Sequence, residues 1–132
     1  MSHLSKKWLA IALFNLALAI GLGAFGAHAL RDTISAEAMA WFKTGHDYHM
    51  WQGIGLIVMA TALANLRWIR LSLALTLVGT VLFCGSLYLM SVTGLRWLGA
   101  ITPLGGLSWI IAWVLLGLSV LKKTADAGLT AD

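Results

Sequence analysis

An all-α bundle of four transmembrane helices is the fold this sequence predicts, and three observations predict it. Four apolar stretches, at about 8–29, 49–66, 71–90 and 102–121, contain no Lys, Arg, Asp or Glu. Each approaches the roughly 20 residues that cross about 30 Å of hydrocarbon at 1.5 Å rise per residue. Hydrophobic residues make up 60% of the chain and charged residues only 11%, where a soluble domain carries about a quarter. Mean hydropathy is +0.87. In hydrocarbon the backbone must satisfy its own hydrogen bonds, so each stretch reads as a helix. Four such helices leave no room for a soluble domain, and residues 1–132 read as one integral membrane domain.

The first span follows Lys6 and Lys7 and runs from Trp8 to Ala29. Its basic start, apolar run and Ala27-His28-Ala29 resemble a cleaved signal peptide, but the apolar run exceeds the usual 7–15 residues, which favours a retained span. The loop after it is the longest. Ser35 is placed to cap a short interfacial helix over 36–42 with Glu37 in its first turn. Trp41 and Phe42 then fall at the outer headgroup level. Gly45 either breaks this helix from span two or lets the two run on. A tight turn at 65–70, anchored by Trp68, joins spans two and three. Thr102-Pro103 reads as a cap followed by proline in the first turn of span four, or as a kink in a helix starting near Leu95. The tail from Thr124 is small and polar and reads as frayed.

Charge orients the bundle. Lys6, Lys7, Arg67, Arg70, Lys122 and Lys123 fall on one side, and Arg31, Lys43 and Arg96 on the other. The excess places both termini in the cytoplasm, in a multi-pass arrangement. It also accounts for the formal net charge of +4 without a nucleic-acid partner, since the cations are scattered at helix ends rather than clustered.

That topology brings polar residues of all four spans to the outer half: His28 ending span one, His49 and Gln52 opening span two, Tyr88 and Ser86 late in span three, and Thr102 opening span four. Asn15, Thr61 and Thr76 fall in the cytoplasmic half. Ionisable groups at membrane depth face the bundle interior and mark candidate sites. The cluster His28, His49, Gln52, Tyr88 and Thr102 is open to three readings: a network that fixes helix register, a small-solute, proton or lipid-headgroup site opening outward, or a metal or haem site on His28, His46 and His49. Small residues mark close helix approach: Gly23 with Ala27 on span one, and Thr76, Thr80 and Cys84 at i, i+4, i+8 on span three. These read as packing within the bundle, with a homo-oligomer contact as the alternative. Cys84, alone of its kind, forms no disulfide within the chain.

Enzymatic signatures are missing from the sequence. There is no Ser/His/Asp set, no paired carboxylates at depth, no CxxC and no phosphate loop. Gly21-x-Gly23-x-x-Gly26 has dinucleotide-loop spacing but sits in an apolar span with no strand before it. No catalytic residue, metal set or cofactor is therefore predicted.

Four ordered segments carry a family resemblance: Gly23-Ala-Phe-Gly-Ala-His-Ala-Leu30; Thr44-Gly45 with Tyr48-His49-Met50; Gly79-Thr-Val-Leu-Phe-Cys-Gly-Ser-Leu-Tyr88; and Thr102-Pro-Leu-Gly-Gly106. In these the chain resembles the YgdD-like family of small four-helix bacterial inner-membrane proteins, the domain of unknown function 423, over nearly its whole length. The resemblance implies a multi-pass plasma-membrane protein and no defined activity. It also implies Gln at the position of His49 and His at that of Gln52, so this chain carries the pair exchanged. The functional expectation is a non-enzymatic membrane protein whose partner is the bilayer, with the polar cluster supporting the bundle or a small partner. The alternatives are a small oligomeric transporter or channel component, and an accessory or assembly subunit that offers Thr76–Thr80–Cys84 as a groove to a membrane-protein partner.

Overall fold

The computed structural model describes residues 3–129, with side chains from 5 to 123. These residues are all-helical. Helix α1 covers His3–Phe25 and continues as a π-helical turn over Gly26–Leu30; α2 covers Ala36–Thr61, α3 Ile69–Thr93 and α4 Thr102–Leu129, the last preceded by a 3₁₀ turn at Arg96–Ala100. Ser5–Leu30, Ile69–Thr93 and Arg96–Lys123 are long and apolar enough to cross a membrane. The α2 helix does not qualify on composition, because its first half carries Glu37, Lys43 and Asp47.

Each helix packs chiefly on its neighbours in sequence, α1 on α2, α2 on α3 and α3 on α4. Short turns enforce this, since a connection of a few residues leaves successive helices antiparallel and adjacent. One core cluster draws on all four: Ala12, Leu56, Met59, Leu73 and Leu116 are buried together. The outside is apolar too. Phe14 is 76% exposed and Val81 70%, with Leu104, Ile110 and Leu121 similar. Apolar residues on both faces of a helix are what a lipid surround allows.

Several boundaries differ from the sequence expectation. The α2 helix begins at Ala36, thirteen residues before His49, and ends at Thr61 rather than Leu66. There is no separate interfacial helix. The Ser35 cap does form, its Oγ accepting from Ala38 N at 3.1 Å. Gly45 does not break the helix. It is buried where a Cβ would press on Leu87 of α3 at 3.2 Å, so its role is close packing. Phe42 does not face outward in an aromatic belt but is buried, its ring 4.9 Å from that of Tyr88 and against Gly26. Trp41 remains near the surface under the Arg96 guanidinium. Span four opens at Thr102 after the 3₁₀ turn, with no continuous helix from Leu95. The segment expected to fray from Thr124 is helical to Leu129; residues 130–132 lie outside the described residues, as does the His3 side chain. Gly94 ends α3 with φ +72, its N–H donating to Met90 O at 2.9 Å, the left-handed position that glycine adopts without a Cβ penalty.

Candidate functional site

His49 hydrogen-bonds to side chains of two other helices. It is 3% exposed and sits midway along α2. Its Nδ1 lies 3.1 Å from the Tyr88 hydroxyl of α3, and its Nε2 lies 3.2 Å from Asn15 Oδ1 of α1. With Oδ1 facing the ring, Nε2–H donates to Asn15, and the neutral imidazole accepts the Tyr88 O–H at Nδ1. One imidazole thus joins three helices. The Tyr88 ring is wedged between Phe42 and His49, with centroids 4.9 and 6.0 Å away. A side groove of about 210 Å³ between α1 and α3 exposes the edge of this network, lined by Asn15, His49, Thr80, Cys84 and Tyr88. Asn15 Nδ2 is buried with no hydrogen-bond partner.

The predicted cluster therefore divides into four. His49 and Tyr88 meet. Gln52 turns to the other side of α2, where its Oε1 accepts from Trp113 Nε1 of α4 at 3.2 Å. Thr102 pairs with Ser86 at 2.8 Å, joining α3 to the start of α4. His28 joins none of these; it is exposed on the π-helical turn. The pair exchanged relative to the family pattern thus consists of two side chains with different helix partners. His46 lies over Gly23, where a Cβ would overlap its ring, and 3.8 Å from Asp47. His28, His46 and His49 do not converge, and among the described residues no three His, Cys, Asp or Glu are grouped to hold a metal ion.

Asn15 is the member that sequence reasoning missed. Its signal was present: it is the one carboxamide in the first span, and such a group needs a partner at depth. Because α2 starts at Ala36, His49 lies at mid-helix, level with Asn15 rather than near the outer surface.

The residues read as helix-packing divide as well. Thr76, Thr80 and Cys84 are all nearly fully buried. Thr76 and Thr80 hydroxyls donate back to Ser72 O and Thr76 O, and Thr76 also reaches Met59 Sδ of α2 at 3.6 Å. The stripe packs α3 within the bundle, and only Thr80 and Cys84 of it border the side groove beside α1. On α1 it is Gly23 and Gly26 that admit His46 and Phe42, while Ala27 is exposed. Helices α3 and α4 approach backbone to backbone at Gly79 and Gly105, where a Cβ on Gly105 would sit 2.5 Å from Phe83 N. Interhelical hydrogen bonds from Trp109 Nε1 to Thr76 O (3.1 Å) and Ser108 Oγ to Leu75 O (2.7 Å) continue that seam.

A chain whose described residues are helical, with apolar residues inside and out and a small polar network at the centre, is a small helical membrane protein. The chain belongs to the DUF423 family, proteins of unknown function, which it matches over residues 22–106. It is similar to the UPF0382 membrane protein YwdK of Bacillus subtilis, 41% identical over 120 residues that cover 89% of this chain and 98% of that one. It is 33% identical to a UPF0382 membrane protein of Haemophilus influenzae over 91% of this chain and 98% of that one. The UPF0382 inner membrane protein YgdD of Escherichia coli is 35% identical, covering 85% and 87% respectively. No solved structure matches the chain.

Proposed function

We propose that this is a single-domain, non-enzymatic inner-membrane protein of four spans with both termini in the cytoplasm, and that the Asn15–His49–Tyr88 network braces its helices. The observation that carries the reading is that both nitrogens of His49 are engaged across helices. A ring whose two nitrogens are both held by side chains of other helices suits a strut that fixes helix register. For α2 as the fourth span, its 26 residues give a length of about 39 Å, and Trp51, Ile54 and Val58 face outward. The surplus of cations at the end bearing Lys6, Arg67 and Lys122 supports the orientation.

The test is thermal unfolding in mild detergent of His49→Leu beside His28→Leu. His49→Leu is expected to lower stability and His28→Leu to leave it unchanged. Wild-type stability in His49→Leu overturns the bracing role. For topology, single cysteines introduced at Gly94 and at Asn65 in a Cys84→Ala background are labelled on intact spheroplasts with a membrane-impermeant maleimide. Labelling at 94 alone is expected, and labelling at 65 alone reverses the orientation.

A second reading has one observation behind it. Asn15 Nδ2 is buried without a partner beside the side groove, so a small hydrogen-bond acceptor seated there would satisfy it. A native mass spectrum showing a stoichiometric bound molecule that is lost on Asn15→Leu would favour that reading over a purely structural one.

A further inference from the structure

The two ends of the bundle treat charge differently. At the end carrying Glu37 and Asp47, Arg96 Nη2 donates to Glu37 Oε2 at 2.8 Å, and Lys43 Nζ lies 3.7 Å from Asp47 Oδ2. At the opposite end stand Lys6, Lys7, Arg67, Arg70, Lys122 and Lys123. None of these six pairs with a carboxylate among the described residues. Of the three remaining acids, Asp32 lies in the loop between α1 and α2, and Asp126 and Asp132 lie outside the described side chains.

Three of the six converge. Arg67, from the turn between α2 and α3, and Lys122 and Lys123, from the last turns of α4, line one cleft of about 320 Å³ with Trp68, Asn65 and Ser119. The Arg67 guanidinium lies 5.2 Å from the Trp68 ring centroid, which directs its charge along an interfacial aromatic. Ser119 is buried at the cleft, its hydroxyl donating to Leu115 O at 2.8 Å. Below the cleft, the outer face of α4 presents Leu121, Leu118 and Val114, all exposed and apolar. Three like charges drawn together where water gives way to hydrocarbon repel one another until an anion joins them. The anion best matched to cations above an apolar helix face carries its charge at the interface and its carbon in the membrane.

We propose that this cleft binds the phosphate group of an anionic phospholipid, with Arg67, Lys122 and Lys123 around the phosphate oxygens and an acyl chain along Leu118 and Leu121. The recognised chemistry is a phosphate oxyanion, which free phosphate shares; the apolar face beneath the cleft assigns it to a lipid. The proposal rests on membrane embedding and is independent of which end faces the cytoplasm.

The test is native mass spectrometry of the full chain released from nanodiscs made of equal parts phosphatidylcholine and phosphatidylglycerol. The wild type is expected to retain one phosphatidylglycerol. Each cation at an anionic headgroup contributes about fivefold in affinity, so the variant Arg67→Gln/Lys122→Gln/Lys123→Gln is expected to bind on the order of a hundredfold more weakly. The variant Lys6→Gln/Lys7→Gln/Arg70→Gln removes the same charge from the same end and is expected to retain the lipid. Equal loss in both variants means a diffuse surface potential and overturns the proposal, as does retention of phosphatidylcholine in equal amount. Inorganic phosphate alone, titrated at millimolar concentration, is expected not to displace the lipid; displacement overturns the lipid assignment. If the cleft triple variant unfolds early, Lys122→Gln and Lys123→Gln singly carry the test, each with an expected loss of about fivefold.

Discussion

Replacing Gly105 by alanine adds one methyl group at the point where α3 and α4 touch. An ideal Cβ there lies 2.5 Å from Phe83 N, 2.7 Å from Gly79 O and 2.8 Å from Phe83 Cβ. Two of these neighbours are backbone atoms of a helix, so no rotamer change relieves the overlap. Comfortable contact needs about 3.5 Å, and the helices must part by roughly 1 Å. Along the same seam Ser72 Oγ donates to Ala112 O at 3.1 Å, Ser108 Oγ to Leu75 O at 2.7 Å, and Trp109 Nε1 to Thr76 O at 3.1 Å. A 1 Å separation carries all three beyond hydrogen-bonding distance. Interhelical hydrogen bonds in membranes average about 0.6 kcal/mol, or about 2 kcal/mol for three. Overpacking of a close contact contributes a further 1–3 kcal/mol or so. The expected loss is thus about 3–5 kcal/mol. Unfolding in mixed micelles, followed by tryptophan fluorescence, measures it, with Trp109 as a probe in the seam itself. The control is Gly117→Ala on the same helix, where a Cβ meets nothing within 4 Å; it is expected to be neutral or slightly stabilising. If Gly105→Ala loses no more than Gly117→Ala, the close crossing of α3 and α4 is refuted.

Three further outcomes are expected. Tyr88→Phe keeps the ring contact with Phe42 and deletes only the hydroxyl, so it is expected to cost about 0.6–1.7 kcal/mol, and a double-mutant cycle with His49→Leu in the same unfolding assay is expected to show coupling of that order. Gly94→Ala forces a side chain into a left-handed conformation, at an expected cost of about 1–2 kcal/mol read from the same transition. Cys84, 1% exposed between α2 and α3, is expected to resist a maleimide in the folded protein and to react once detergent denatures it; prompt labelling of the native state would contradict its burial.

The number of helices, the Ser35 cap and the proline at the start of α4 were legible in the sequence, because each depends on residues within one or two turns. The extent of α2 was not. Asp47, Lys43 and Glu37 lower the hydropathy of its first half, and the apolar pattern that marks a span begins only near His49. Tertiary packing carries the helix on through the polar stretch: Phe42 is buried between Gly26 and Tyr88, and Gly45 lies against α3. That one displacement of the helix start moved His49 from the outer surface to mid-bundle. It therefore dissolved the expected cluster of five and created the network with Asn15.

Taken alone, the sequence determined that the chain is helical and lives in a membrane, and that most of its cations gather at one end. Hydropathy and charge are properties of residues and need no partner to be read. Which small residues face another helix, and which polar groups meet, are properties of pairs. Rotation about each helix axis turns Gln52 toward Trp113 and His49, three residues earlier, toward Asn15 and Tyr88. It buries Thr76, Thr80 and Cys84 while leaving Ala27 and His28 outside. In a helix surrounded by lipid every face is apolar, so the pattern that reveals the inward face of a soluble helix is weak, and only the packed tertiary structure selects it.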